Sequence, residues 1–177
     1  MTQRILVTYA TRAGSTAGAA EFIGKTLAEN GLAVNVLPMS EVKDLTPYSA
    51  VVAGSAIQGK QWLPEAMEFM QANRAALQKV PVAVFLVCMT LAMSDGERYR
   101  EMVATFLDPV RAIVTPVSEG LFAGALDIST VPNFRTRLGF RLSVLMGVWS
   151  EGDHRDWHAI RAWAYSLPPL LLTAGRQ

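Results

Sequence analysis

Residues 5–16 read Ile-Leu-Val-Thr-Tyr-Ala-Thr-Arg-Ala-Gly-Ser-Thr, a mostly apolar run followed by a turn rich in hydroxyl groups. The apolar part, residues 5–10, is partly β-branched and predicts a short strand covered on both faces. A helical pattern begins near Thr16. A turn between a strand and a helix presents free backbone N–H groups, and the positive end of the helix dipole, above the edge of the sheet. We therefore expect residues 11–16 to bind a phosphate group.

The side chains of this turn suit a single phosphate monoester. Thr11, Ser15 and Thr16 offer hydroxyl donors, and Gly14 lets the backbone approach the ligand closely. Arg12 is the only charged residue in the turn, so neutral dipoles would do most of the binding. A plain turn, whose hydroxyls only cap the helix, is the alternative interpretation.

The composition predicts one domain, residues 1–177, and excludes several classes of protein. The chain has 177 residues, of which 51% are hydrophobic and 18% charged, enough for one substantial core. A net charge of +1 argues against a nucleic-acid binder and against a strongly acidic docking protein. Cys88 is the single cysteine and lies in an apolar run, which predicts a buried thiol in a reducing compartment. The N-terminus lacks the pattern of a secretion signal, so we expect a cytoplasmic protein.

Strand and helix patterns alternate along the chain. After the first strand, further strands are predicted at residues 33–37, 48–54, 82–88 and 117–126. Helices are predicted at residues 16–30, 64–77, 94–107 and 154–167, the third with a capping-box spacing of Ser94 and Glu97, the last ended by Pro168 and Pro169. Alternation of this kind is typical of a parallel sheet with helices on both faces. Ligands of such sheets bind at the C-terminal edge of the strands, where the predicted loops 11–16, 55–62 and 89–95 converge.

Several α/β families are excluded by what they would require at that edge. The first turn has no Gly-x-Gly-x-x-Gly pattern, and the chain has no Gly-Lys-Ser/Thr end of a P-loop. A phospho-acceptor domain needs acidic residues after the first strand, where this chain has Thr8 to Thr11. No Gly-x-Ser-x-Gly elbow of an α/β-hydrolase is present.

The chain resembles flavodoxin-type FMN proteins, and more narrowly the branch that contains the quinone-dependent protoporphyrinogen oxidases. The resemblance rests on residues 5–16, on Val-Ala-Gly-Ser-Ala-Ile at 52–57, on Ala-Gly-Ala-Leu at 123–126 and on Asp-Trp at 156–157. It implies a three-layer α/β fold whose five-stranded parallel sheet has the order 2-1-3-4-5, with a helical insert after strand five. It also implies FMN as the cofactor.

The resemblance assigns the FMN contacts to three segments. Residues 11–16 would hold the phosphate, residues 55–62 would pass one side of the ribityl chain and ring, and residues 89–95 would flank the other side. The implied contacts are Thr11, Arg12, Ala13, Gly14, Ser15, Thr16, Ser55, Ala56, Ile57, Gln58, Gly59, Trp62, Met89, Thr90, Leu91 and Ala92. Apolar and aromatic side chains suit the walls of a flavin site, although a second interpretation places Trp62 in the core.

Residues 127–153 are far longer than an ordinary connection after a strand. Within them, residues 133–149 combine many apolar residues with Arg135, Arg137 and Arg141 and contain no acidic residue. Such a segment is too short and too charged to span a bilayer. An apolar helix with cationic residues suits a membrane interface, here the inner face of the membrane, where it would meet a quinone. Packing over the flavin edge, or a contact within a homo-oligomer, are the alternatives.

His154 and His158 stand four residues apart near the last helix. This spacing is that of a metal-binding pair, but no third ligand motif accompanies it. We therefore predict solvated residues and no metal site.

The sequence leads us to expect an enzyme, an FMN-dependent oxidoreductase. It would take two electrons from a small-molecule reductant and pass them to a quinone or another acceptor, as the protoporphyrinogen oxidases do in heme biosynthesis. Asp95 is the only carboxylate in the loops predicted at the ring, so a reduced anionic flavin would meet little repulsion. No catalytic residue is predicted. The alternatives are a flavodoxin-type single-electron carrier, against which the net charge of +1 argues, and a flavodoxin-like scaffold without FMN.

Overall fold

The computed structural model describes residues 3–130 and 133–173. The strands are β1 (Arg4–Ala10), β2 (Ala33–Pro38), β3 (Ala50–Gln58), β4 (Gln61–Trp62), β5 (Val82–Cys88), β6 (Ser118–Ala123), β7 (Ala125–Leu126) and β8 (Gly152–Asp153). The α-helices are α1 (Ser15–Glu29), α2 (Pro64–Ala72), α3 (Arg74–Leu77), α4 (Arg100–Ala104), α5 (Asp108–Arg111), α6 (Phe134–Leu145) and α7 (Trp157–Thr173). The domain expected over residues 1–177 also includes residues 1–2, 131–132 and 174–177, which lie outside the described residues.

Five parallel strands form the central sheet in the order β2-β1-β3-β5-β6. This is the order 2-1-3-4-5 expected above, because β4 only pairs with the end of β3 and does not continue the sheet. The strand order reverses beside β1, so the carboxyl ends of β1, β3 and β5 border one crevice at the sheet edge.

The sheet lies between two helical layers because its strands are apolar on both faces. Ile5 and Val7 belong to the core cluster shared with α1 and α7, whereas Leu6, between them, belongs to the cluster shared with α2 and α4. Alternation along a strand sends successive side chains to opposite faces, and both clusters are fully buried at these residues. The three-layer α/β fold is therefore confirmed.

The third strand runs further than the sequence predicts. Residues 55–62 are not a loop, because β3 extends to Gln58 and turns back as the antiparallel strand β4, with Ile57 opposite Trp62. Gly59 and Lys60 both have positive φ, 59° and 63°, as the turns that best join two such strands require. The hairpin was not predicted because most of its residues are small or polar and do not form the hydrophobic pattern of a strand.

The second predicted helix is interrupted at Asn73, between α2 and α3. The Asn73 side-chain amide donates to the Phe69 carbonyl at 2.9 Å, and the Asn73 backbone N–H donates to the same oxygen at 3.1 Å. Competition of this kind between a side chain and the helical bonds disturbs the end of a helix. Residues 64–77 are therefore two helices.

The segment after β5 is less regular than predicted. Residues 94–107 form a 3-10 turn at Gly96–Tyr99, then α4, and then a second 3-10 turn, and no side chain caps either the first turn or α4. The capping box expected from Ser94 and Glu97 is therefore wrong. Val103, Phe106 and Leu107 are buried in the core, but Met102 is exposed.

The fifth strand ends at Ala123, and Gly124 separates it from β7. The next two residues, β7, pair with β8 in a separate two-stranded sheet that closes the base of the insert. The insert itself carries α6, which the Asn133 side chain caps by accepting from the Arg135 backbone N–H at 3.0 Å.

The last helix continues through Pro168 and Pro169 to Thr173, so the prolines do not end it as predicted. It also begins at Trp157, three residues later than His154. Leu167 and Leu171 are both buried in the cluster that packs on α1. This burial on each side of the prolines favours a helix that runs past them, although proline cannot donate the helical bond.

Candidate functional site

The turn between β1 and α1 has an uncapped helix end and an open backbone, two features that suit an anion. Gly14 adopts φ of 87°, and no side chain caps the first turn of α1. The Gly14 N–H is bonded to the Thr11 hydroxyl oxygen at 3.1 Å, and the Gly14 carbonyl accepts from Gly18. A β-carbon on Gly14 would meet no atom within 4 Å. The positive end of α1 therefore opens onto free space beside the backbone of the turn.

Thr16 supplies the observation that tests whether a phosphate fits here. The residue is completely buried, and its hydroxyl oxygen has no hydrogen-bond partner among the described residues. A buried hydroxyl without a partner is costly, and a phosphate oxygen above the turn is the acceptor that the hydroxyl requires. The turn thus fits the phosphate of FMN.

Arg12 does not lie free in the turn. Its two terminal guanidinium nitrogens donate to the two carboxylate oxygens of Glu65, on the first turn of α2, with the second bond at 3.2 Å. This fork-to-fork contact joins the phosphate turn to the helix that follows the β3–β4 hairpin. Glu65 thereby neutralises the only charge of the turn, which leaves neutral dipoles for the phosphate.

A cleft of about 410 Å³ opens beside the turn, at the carboxyl ends of β1, β3 and β5. Its walls come from the turn, from the ends of β3 and β5, from residues 124–127 after β6 and from the insert. The lining residues are Arg12, Ala13, Ser15, Ala56, Ile57, Gln58, Val87, Met89, Gly124, Ala125, Leu126, Asp127, Asn133, Thr136 and Phe140. A volume of this size lies in the range of small-molecule sites, about 300–1,000 Å³.

Seven of the sixteen expected contacts line this cleft: Arg12, Ala13, Ser15, Ala56, Ile57, Gln58 and Met89. Thr11, Gly14 and Thr16 lie in the adjoining turn. Ser55 is buried and serves the hairpin, because its hydroxyl accepts from the Leu63 N–H at 3.0 Å. Trp62 is buried in the core cluster shared with α2. Gly59, Thr90, Leu91 and Ala92 are also outside the lining.

The insert supplies one wall of the cleft, in agreement with the alternative that it packs over the flavin edge, although none of its residues was named as a contact. Asn133, Thr136 and Phe140 line the cleft from the first half of α6. Thr136 and Phe140 are four residues apart, so they share one side of the helix. The signal in the sequence was this spacing, together with the small residues 123–126 at the end of a strand. Neither the spacing nor the small residues show in the sequence that α6 lies beside the strand ends, so neither identifies a wall of the ligand site.

The walls of the cleft carry little charge. Arg12 and Asp127 are the ionisable side chains among its described lining residues. Arg12 is paired with Glu65, and Asp127 accepts from the backbone N–H of Ser129 at 2.9 Å and from its hydroxyl. The cleft therefore suits an uncharged, largely apolar ring.

The two histidines lie in different surroundings. The His154 ring nitrogen Nε2 lies 2.7 Å from the Ser150 carbonyl oxygen, and His158 is exposed on α7. Within residues 3–130 and 133–173, no three metal-ligating side chains are grouped.

None of the helices in the described residues has the length and apolar character needed to cross a membrane. This finding includes α6, in which every described residue is at least partly exposed.

Comparison with known proteins agrees with this geometry. Residues 6–147 match the family model described as a flavodoxin domain. Flavodoxin 2 from Bacillus cereus is 24% identical to this chain and superposes with a TM-score of 0.52. The superposition covers 81% of this chain and 98% of that flavodoxin. The flavodoxin of Streptococcus pneumonia TIGR4 is 15% identical, with coverages of 94% and 98% and a TM-score of 0.58. No curated protein matches the chain.

At these identities, the superpositions show the fold, and the family match shows the relationship. The cofactor of such a domain is FMN, which the turn and the cleft fit, and its role is that of an electron carrier or an oxidoreductase. Because the match covers most of its length, the chain belongs to the flavodoxin domain family.

Proposed function

We propose that this protein is an FMN-bound electron carrier, which exchanges electrons with a separate redox partner and has no substrate of its own. This differs from the enzyme that the sequence suggested. The observation that carries the proposal is the lining of the cleft, in which the two ionisable side chains are already engaged. FMN, when bound, accepts and donates one or two electrons.

Enzymes that oxidise organic substrates commonly place a side chain that moves a proton beside the reacting atoms. Here Arg12 is held by Glu65, and Asp127 is held by Ser129. A guanidinium cannot act as a base, and Oδ1 of Asp127 already accepts two hydrogen bonds from Ser129, so neither side chain is an unengaged base. Electron exchange alone does not require such a group, so the cleft suits a carrier better than a dehydrogenase.

The size of the cleft supports the same proposal. About 410 Å³ is near the lower end of small-molecule sites, so one flavin ring and its ribityl chain occupy most of it. A large second ligand, such as a porphyrin, would need additional space beside α6. The chain's own residues therefore bind and orient the cofactor, and exclude water from its buried face.

A redox titration of the purified, FMN-loaded protein tests this proposal. Absorption is recorded while the potential is lowered stepwise, with free FMN as the control. We expect two one-electron steps that are well separated in potential. A single two-electron step would contradict the carrier. A protein that binds no FMN would contradict both this proposal and the cofactor.

The second candidate is the quinone-linked oxidoreductase. It is favoured by the outer face of α6, on which Phe134, Leu138, Leu142 and Leu145 are 74%, 57%, 57% and 83% exposed. These residues recur at helical spacing and form one stripe, and the opposite side of the same helix lines the cleft.

Arg135 and Arg141 flank this stripe, since successive residues of an α-helix are rotated by about 100°. Both side chains are exposed. An apolar face between cations suits an anionic membrane interface, from which a quinone would reach the cleft. Peripheral binding of an otherwise cytoplasmic protein through residues 133–149 belongs to this candidate. Its resemblance to the protoporphyrinogen oxidases rests on the sequence alone, because the structures compared above are flavodoxins.

Rapid mixing of the reduced protein with a short-chain quinone tests the second candidate. Specific quinone binding requires a rate that saturates with quinone concentration and falls when Phe140 is replaced by alanine. A rate that rises linearly, and is the same in the variant, would indicate unspecific oxidation and would exclude a quinone site beside α6.

A further inference from the structure

Arg155 connects the end of the insert to the first turn of α1. Its nitrogen Nη1 donates to the Ser15 carbonyl oxygen at 3.0 Å. Its Nε and Nη2 donate to the two carboxylate oxygens of Asp153, each at 2.8 Å. The guanidinium also lies 4.4 Å from the centre of the Trp157 ring. With 15% of its side chain exposed, Arg155 is fixed on three sides.

The sequence of α1 leaves space for this side chain. A β-carbon at Gly18 would lie 2.5 Å from the Arg155 nitrogen Nη1. Glycine inside a helix costs about 1 kcal/mol relative to alanine. Because Gly18 has no side chain, the guanidinium of Arg155 can approach the backbone of the first turn despite this cost.

The contact fixes one particular peptide group. The Ser15 carbonyl and the Thr16 N–H belong to the same planar, trans peptide, so they point in opposite directions. When Arg155 holds the carbonyl, the Thr16 N–H is directed toward the N-terminal end of α1. The turn at residues 11–16, where we expect the phosphate to bind, lies at this end. A hydrogen bond to the carbonyl also polarises the N–H and makes it a stronger donor.

The positive charge of Arg155 lies beside the first turn of α1. A cation beside the first turn of a helix opposes the helix dipole, so Arg155 is unfavourable there unless anions accompany it. Asp153 supplies one negative charge. A phosphate dianion at the turn would be a second anion that stabilises the cation there.

We propose that Arg155 is a positioning residue for the flavin phosphate, acting through the Ser15–Thr16 peptide. This rests on FMN as the cofactor. It makes the site selective for the phosphorylated flavin over riboflavin, and it links the insert to phosphate binding, because Asp153 belongs to β8 and pairs with β7 in the wall of the cleft.

Affinities for FMN and for riboflavin, measured by quenching of flavin fluorescence, test this role. Arg155→Gln is expected to weaken FMN binding by about tenfold, because the Thr16 N–H is no longer held toward the charged phosphate, and riboflavin binding by less than about twofold. Arg155→Lys keeps the charge but cannot reach Ser15 and both oxygens of Asp153 together, so its FMN affinity should lie between those of the wild type and Arg155→Gln.

Arg161→Gln is the matched control. Arg161, on α7, is likewise an arginine that contacts α1, by an ion pair with Glu29 at 2.9 Å, but at the opposite end of α1. Its ratio of FMN to riboflavin affinity should equal that of the wild type. If both Arg155 variants weaken the two flavins equally, or change neither, the positioning role is wrong. If the wild type itself binds riboflavin as tightly as FMN, the phosphate seat is wrong as well.

Discussion

The ring of Phe85 on β5 occupies the space that a β-carbon of Gly54 on β3 would need. The two residues are register partners on neighbouring strands, and Phe85 is fully buried among α1 and α7. Glycine at position 54 is thus required by packing, since its backbone is ordinary strand.

Gly54→Ala should therefore destabilise the protein. A methyl group forced into a filled core costs about 1–3 kcal/mol, because Phe85 is held by the aromatic contacts with Phe122 and Trp163. Urea unfolding of the protein without cofactor measures the change. Gly139→Ala on α6, where a β-carbon meets nothing within 4 Å, is the control and should not lower the unfolding midpoint.

Thr16→Val should have opposite effects on stability and on cofactor binding. Valine removes the buried hydroxyl that lacks a partner, so unfolding of the protein without cofactor should need as much urea, or more. The affinity for FMN should fall by about tenfold, since a hydrogen bond to phosphate is lost, and the affinity for riboflavin should not change.

Thr26→Val is the control for that prediction. Thr26 is buried on the same helix, but its hydroxyl donates to the Phe22 carbonyl at 2.8 Å. This variant should leave FMN affinity unchanged. Equal FMN affinity in Thr16→Val and the wild type would show that the Thr16 hydroxyl does not bind the phosphate.

Stability should depend on the ionisation of Asp153. The hydrogen bond from Arg155 is the main cause that lowers the pKa of Asp153 below its ordinary value of 3.8, against the opposing effect of burial. A pKa lowered by folding stabilises the folded state above the unfolded pKa, and this contribution is lost as the pH falls through the folded pKa. Wild type should therefore exceed Asp153→Asn in stability at pH 7, and the difference should shrink below about pH 4.

Urea unfolding at pH 7, 5, 4 and 3 measures this difference. Glu68→Gln, which removes an exposed carboxylate on α2, is the control for the loss of one negative charge. A difference between wild type and Asp153→Asn that stays constant down to pH 3 would show that ionisation of Asp153 does not stabilise the fold.

The sequence predicted those parts of the structure that depend on local patterns. The strand at residues 5–10 and the turn that follows it were predicted from a run of apolar residues and a local motif, and the sheet order from the resemblance to flavodoxin-type proteins. Arg155 and Ser15 are 140 residues apart, so no local pattern announces their contact. The wall formed by Thr136 and Phe140 likewise exists only after the insert folds back over the strand ends.

Local patterns failed where tertiary contacts decide the outcome. The hairpin after β3 has too few large apolar residues to read as a strand, yet Ser55 binds the Leu63 N–H and fixes its return. Pro168 and Pro169 predict the end of a helix, but the core contacts of Leu167 and Leu171 continue it. In both cases, packing overrides intrinsic preference.

The final turn of α7 should contribute to stability. Leu171 is 2% exposed, whereas the adjacent Leu170 is 39% exposed. Leu171→Ala should lower the free energy of unfolding by about 2–5 kcal/mol, and Leu170→Ala by less than about 0.5 kcal/mol. Equal effects in urea unfolding would mean that the helix beyond the prolines does not pack on α1.

The outer face of α6 should bind anionic vesicles if the membrane candidate is correct. Each leucine withdrawn from water contributes about 1.5–3 kcal/mol, so replacing Leu138 and Leu142 together by serine should weaken co-sedimentation with anionic vesicles by about 100-fold or more. Met102→Ser, which changes an exposed apolar residue on α4, should bind as the wild type does. Uncharged vesicles should bind less, because they offer no anionic headgroups to Arg135 and Arg141.

The result that would contradict the membrane candidate is that the wild type binds neither kind of vesicle. If the double variant then converts a dimer to a monomer in gel filtration, the exposed face of α6 is a subunit contact and not a membrane contact.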